Sequence, residues 1–180
     1  MLGDSSIASF TEGSKRATTA ANLWPDVRDD ILRHKPWNCA KKRVLLAPEV
    51  ATPPFGFSFN FTKPGDWLRT LQVGEDYCDI PFADESGRIL CDLNPLPLRY
   101  LWRNANPATY DSMLVRVMTL AMAAQLAYPI TSSAAVEQTR YQQLELALRR
   151  AASVDGQDDG PEDAGHFDLL TARFRSRYSV

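Results

Sequence analysis

Histidine is scarce in this 180-residue chain, with only His34 and His166. Two imidazoles leave little scope for acid–base or metal chemistry, and no Gly-x-Ser-x-Gly elbow, His-Glu-x-x-His or Cys-x-x-Cys occurs. Cysteine is scarce as well. Cys39, Cys78 and Cys91 are odd in number and fit no zinc spacing, which argues against a disulfide framework or a structural metal and for reduced thiols. A basic excess is missing too: the formal charge is −2 and the pI about 5.7. A broad basic face for gripping nucleic acid is therefore excluded, and any contact with DNA is an enclosing one. Met1-Leu-Gly-Asp-Ser-Ser lacks the basic start and apolar core of a signal peptide, and no apolar run approaches the ~18 residues of a membrane span. The expectation is a protein made in the cytoplasm, with no membrane partner, and of a length that suits one domain.

Other chemistry fails on its details. Gly13-Ser-Lys lacks the upstream glycine of a phosphate-binding loop and reads as a helix N-terminus. The run from Asp155 to His166 resembles a calcium loop only until its third and twelfth positions, where Gln157 and His166 stand in place of acids. His34 and Cys39 have no orienting carboxylate at a suitable spacing, so His34 reads as a cation at a helix C-terminus. Asp84, Glu85 and Asp92 surround a turn, where acids are ordinary solvated residues. Trp24, Trp37, Trp67 and Trp102 come from separate segments and read as core or subunit contacts rather than a stacking surface. Catalytic residues, metal ligands and cofactors are therefore all expected to be absent.

What the chain does have is order. Thr11 or Ser9 can cap a helix whose apolar positions Ala17, Ala20, Ala21, Trp24, Val27, Ile31 and Leu32 keep helical spacing across Pro25, as one kinked helix or two abutting ones. Pro36 disfavours helical backbone at Lys35 and ends it near His34. At Pro36, Trp37 and Asn38 the periodicity turns from helical to extended, a structural joint with segments on both sides built to close over the indole. Extended segments are expected at Arg43 to Leu46, along the alternating aromatics Phe55, Phe57, Phe59 and Phe61, at Leu71 to Val73, in a hairpin of Tyr77 to Ala83 with Arg88 to Asp92, and at Leu98 to Arg103. Lys63 to Arg69 reads as one helical turn. Asn106-Pro107 opens a second helix, and Thr131 or Ser132 a third with the stripe Val136, Tyr141, Leu144, Leu148 and Ala151.

From Val154 to Gly165 the composition shifts to five acids spaced by glycine and proline, which reads as a flexible linker. Beyond it, Phe167, Leu170, Phe174 and Tyr178 alternate with Arg173, Arg175 and Arg177. An amphipathic basic terminus behind an acidic linker reads as a tail that docks on another subunit.

The ordered motifs resemble the tail tubular protein A family, the head-to-tail adaptors of short-tailed phages. The match lies in Gly13-Ser-Lys-Arg-Ala, Val27-Arg-Asp-Asp-Ile-Leu-Arg-His-Lys-Pro-Trp-Asn-Cys-Ala, Pro54-Phe-Gly-Phe-Ser-Phe-Asn-Phe, Pro64-Gly-Asp-Trp-Leu-Arg, Arg88-Ile-Leu-Cys-Asp, Pro97-Leu-Arg-Tyr and the helix after Asn106-Pro107, from about Gly13 to Ala152. Cys39 stands where the family often has Phe. The resemblance implies a virion protein of the tail or neck, assembled in the host cytoplasm. It would form a dodecameric ring between the portal protein and the tail nozzle, pass DNA through its lumen without reading sequence, and catalyse nothing.

The expected fold class is α+β: a helical bundle of three to four long helices with a small antiparallel β region of about five short strands inserted between the first and later helices. Residues 1–152 form one adaptor domain, with helices at 11–34, 107–127 and 131–152 and the β region at 40–103. Residues 153–165 are the linker and 166–180 the portal-docking tail. Two other classes remain open: a tail-associated glycan hydrolase using Asp84, Glu85 and Asp92, and a free-standing cytoplasmic interaction domain.

Overall fold

A computed structural model describes residues 7–75 and 80–158. Three α-helices, α1 (Lys15–His34), α2 (Ser112–Thr131) and α3 (Ala134–Asp158), accompany six strands: β1 (Lys41–Leu46), β2 (Phe59–Thr62), β3 (Trp67–Val73), β4 (Phe82–Glu85), β5 (Arg88–Cys91) and β6 (Leu96–Trp102). The strands form two three-stranded sheets, ordered β1-β6-β3 and β2-β5-β4. The helical bundle with a small inserted β region is therefore corrected. Among the described residues, three helices stand beside six antiparallel strands in two sheets, about 47% helix and 22% strand, in place of a bundle of three to four long helices with about five short strands; the strands do lie between α1 and α2.

The physical reasons lie in three places. Pro25 does not divide α1, which runs unbroken with the proline ring on its exposed side. Where a helical turn was expected at Lys63 to Arg69, Pro64 O accepts the Trp67 N–H at 3.0 Å and closes a turn, and strand β3 begins at Trp67 itself. The alternating aromatics over-read as strand: Gly56 takes φ +86°, Phe55 is exposed, and only Phe59–Thr62 joins a sheet.

Two compact units divide these residues. One comprises 7–42, 64–71 and 100–156, the other 43–63, 72–75, 80–99 and 157–158, and the divisions fall inside β1, β3, β6 and α3.

In the first unit, α1 starts behind Ser14, whose hydroxyl accepts the Ala17 N–H at 3.1 Å. Its buried residues Ala17, Ala20, Val27, Ile31 and Leu32 keep the helical spacing that the sequence shows. The helix expected from Pro107 starts later. Pro107–Thr109 is a single 3-10 turn capped by Asn106, and α2 begins at Ser112 behind Asp111, which accepts N–H groups from Met113 and Leu114 at 2.6 and 2.9 Å. Contrary to the expectation that no apolar run approaches a membrane span, α2 is by length and composition long and apolar enough to cross one, with a mean hydropathy of 1.4. Here it buries Leu114, Val117, Met118, Ala121, Ala124 and Ala127, with about 33% of its apolar stretch buried. Ser132 at φ +51° ends it, and α3 starts two residues later.

In the second unit β5 is the central strand of β2-β5-β4. It pairs Phe61 with Ile89 on one side and Phe82 with Cys91 on the other, both antiparallel. Positive φ at Ser86 (+48°) and Gly87 (+79°) gives the two-residue turn that matches the right-handed twist of a hairpin. Phe61, Ile89 and Cys91 are fully buried.

Candidate functional site

The joint at Pro36, Trp37 and Asn38 is tied to both α1 and α3 by hydrogen bonds. Pro36 holds Lys35 extended (φ −137°, ψ 151°), which turns the chain so that Trp37 enters the core. The indole is 1% exposed and clusters with Val27, Ile31, Leu32, Leu101, Val117 and Ala151. A buried indole needs a partner for its N–H, and Nε1 donates to Ile31 O at 2.8 Å. The helix thus supplies both the wall of the pocket and the acceptor.

Above the ring lies Lys35, its ammonium 5.1 Å from the indole centroid. The same ammonium stands 3.2 Å from Asp155 Oδ2 and donates to the carbonyl of Ala152 on α3. Asp155 is 7% exposed. Its Oδ1 accepts the Asn38 N–H at 3.3 Å, while its backbone carbonyl accepts Asn38 Nδ2 at 3.2 Å. Oδ2 makes no hydrogen bond, so its compensation is the nearby charge of Lys35. One carboxylate thereby fastens the last turns of α3 to the joint. Lys41 Nζ completes the cluster with a 2.7 Å bond to Asn38 Oδ1.

Behind the joint, Asn104 is 1% exposed and almost fully satisfied. Its Nδ2 donates to Cys39 O and Thr109 Oγ1 at 2.9 and 2.7 Å, and its Oδ1 accepts the Asn106 N–H at 3.0 Å. Burial, with Asp111 and Asp155 nearby, pushes the Cys39 thiol up to about 11, which disfavours the thiolate form. A second polar group joins Lys42, Asp66 and Tyr100. Asp66 accepts from Lys42 Nζ at 2.7 Å and from the Tyr100 hydroxyl at 2.9 Å. Burial works to raise the Asp66 carboxyl, but those two donors outweigh it and hold it below the usual range.

The acids around the hairpin do not converge. Asp84 is paired with Lys63, and Asp92 accepts the Ser58 N–H at 2.8 Å. Asp84 lies opposite Ile89, so Asp92 is three residues, or about 10 Å, further along the strand direction. Glu85 lies opposite Arg88, which itself pairs with Glu49 at 3.0 Å. Among the described residues no three His, Cys, Asp or Glu side chains gather as a metal-binding group. Phe167, Leu170, Arg173, Phe174, Arg175, Arg177 and Tyr178 lie outside the described residues, as does the expected linker beyond Asp158.

The structure thus brings Trp37 and Asn38 together with two residues that the sequence had not joined to them, Lys35 and Asp155. Asp155 was grouped with the linker acids by composition. The signal that could have found it is spacing: Leu144, Leu148, Ala151 and Asp155 form one helical stripe, and α3 continues through it to Asp158. Asn104 carries no comparable sequence signal. No protein-family model and no curated protein matches the chain.

Proposed function

We propose that this chain is a structural head-to-tail adaptor of a short-tailed phage, a non-enzymatic ring subunit that joins the portal protein to the tail and encloses the passing DNA. The observation that carries the reading is the fastening of α3 to the joint. Asp155 ties α3 to the joint through Asn38 and Lys35, beside the core built around Trp37 and three residues before the described fold ends at Asp158. A segment that docks on a partner gains affinity when its origin is fixed, because less freedom is lost on binding. Phe174, Tyr178 and the arginines between them are residue types that dominate binding hot spots. The family resemblance of the Ile31-Leu-Arg-His-Lys-Pro-Trp-Asn segment supplies the partner, the portal ring. The mild acidity of the chain fits a conduit, since a basic lumen would bind the phosphate backbone and retard it.

Deletion of residues 161–180 tests this. The shortened chain is expected to unfold at the same midpoint as the full chain and to lose binding to purified portal. Full portal binding by the shortened chain would remove the docking role.

A further inference from the structure

Between α2 and α3 lies a slot of about 250 Å³. Met113, Leu120, Leu146 and Ala147 make its apolar floor, with Leu146 half exposed, and Arg116 and Arg150 stand at its margin. The lining contains two arginines and no acid. Neither arginine has an ion-pair or hydrogen-bond partner among the described residues. Such a slot suits a segment that presents a large apolar side chain between carboxylates: the apolar group covers the floor, and each guanidinium can take a carboxylate in two parallel hydrogen bonds.

This chain contains that segment. Residues 159–170 read Asp-Gly-Pro-Glu-Asp-Ala-Gly-His-Phe-Asp-Leu-Leu, with acids Asp159, Glu162, Asp163 and Asp168 around Phe167 and Leu169. We infer that the slot between α2 and α3 is the receptor for the acidic segment 159–170 of a second copy of the chain. A segment on one copy and a slot on the next are different surfaces, so the contact is head-to-tail and repeats until the rotation closes a ring. Eight residues from Asp159 to His166 span up to about 26 Å when fully extended. The inference deepens the ring reading and divides the labour of the C-terminal segment: 159–170 binds the neighbouring copy, and the basic residues from Arg173 to Tyr178 are left for the portal.

The test is charge exchange in the full-length chain, read as weight-average mass by sedimentation at low and high salt. The native chain is expected to associate at low salt and to dissociate at high salt. The slot variant R116E/R150E and the segment variant D159K/E162K/D163K/D168K should each weaken association by about tenfold or more in Kd. An equimolar mixture of the two variants should associate again, because each slot then meets a segment of opposite charge on the other chain. The segment variant alters no residue of the described fold, so its loss of association cannot come from unfolding of that fold.

A native chain that stays monomeric at low salt overturns the inference. So does a mixture that stays monomeric, which would place the segment on its own chain, and so does unchanged association of either variant alone. Portal binding is scored separately. A chain that self-associates in this manner and ignores portal would refute the adaptor role while keeping the contact, and a monomer that binds portal would do the reverse.

Discussion

In the unit built from residues 7–42, 64–71 and 100–156, a large apolar cluster closes around one tryptophan, and the polar groups near it are buried and paired. In the unit built from 43–63, 72–75, 80–99 and 157–158, the buried set is short, with Phe61, Val73, Ile89, Cys91, Leu96 and Leu98 at its heart, and the ion pairs of Glu49 with Arg88 and of Lys63 with Asp84 include partly exposed groups. In the first, stability is expected to be concentrated in a few buried side chains such as Trp37. The second spreads it over strand pairing, where each single residue carries less.

Substitutions sharpen this contrast. The largest effect is expected for Trp37→Ala, which empties a buried indole site and removes the donor to Ile31 O: a loss of about 3–5 kcal/mol in denaturant titration. A loss below about 1 kcal/mol would show that the cluster does not depend on the joint. Asp155→Ala comes next. It leaves the Lys35 ammonium, only 19% exposed at its side chain, beside the indole without its carboxylate and strips the Asn38 N–H of its acceptor, at a cost of about 3 kcal/mol. Hydrogen exchange should then show the C-terminal turns of α3 opening first, ahead of α1. Protection in α3 equal to that of the native chain would mean that Asp155 is not the fastening.

Effects in the other unit should be smaller. Gly87→Ala puts a Cβ on a residue at φ +79° and is expected to cost about 1 kcal/mol, with the hairpin still formed. Arg88→Ala removes an exposed partner of Glu49 and should change stability by less than about 1 kcal/mol. If Arg88→Ala proved as costly as Asp155→Ala, the contrast between the two units would be broken.

Much of the joint was legible because its causes are local. Pro36 sets the backbone of Lys35, and the spacing of Val27, Ile31 and Leu32 shows which face of α1 meets Trp37. The hairpin turn was legible for the same kind of reason, in Gly87. The sheets were not. β1 lies beside β6, and β2 beside β5, across long stretches of chain, and periodicity within a segment says nothing of which distant segment pairs with it. The strand expected from Phe55 failed because the aromatic alternation was weighed above one glycine. Asp155 was missed because composition was averaged over a window that began inside a helix. The slot of Arg116 and Arg150 needs two helices side by side before it exists at all.

The proposed role is that of a subunit fitted between larger protein rings. Native mass measurement of the full chain mixed with assembled portal tests it most directly. The account predicts a complex carrying a closed dodecamer of this chain on one portal ring, lost when residues 161–180 are removed. A mixture that yields only free portal and free chain at low salt would contradict it.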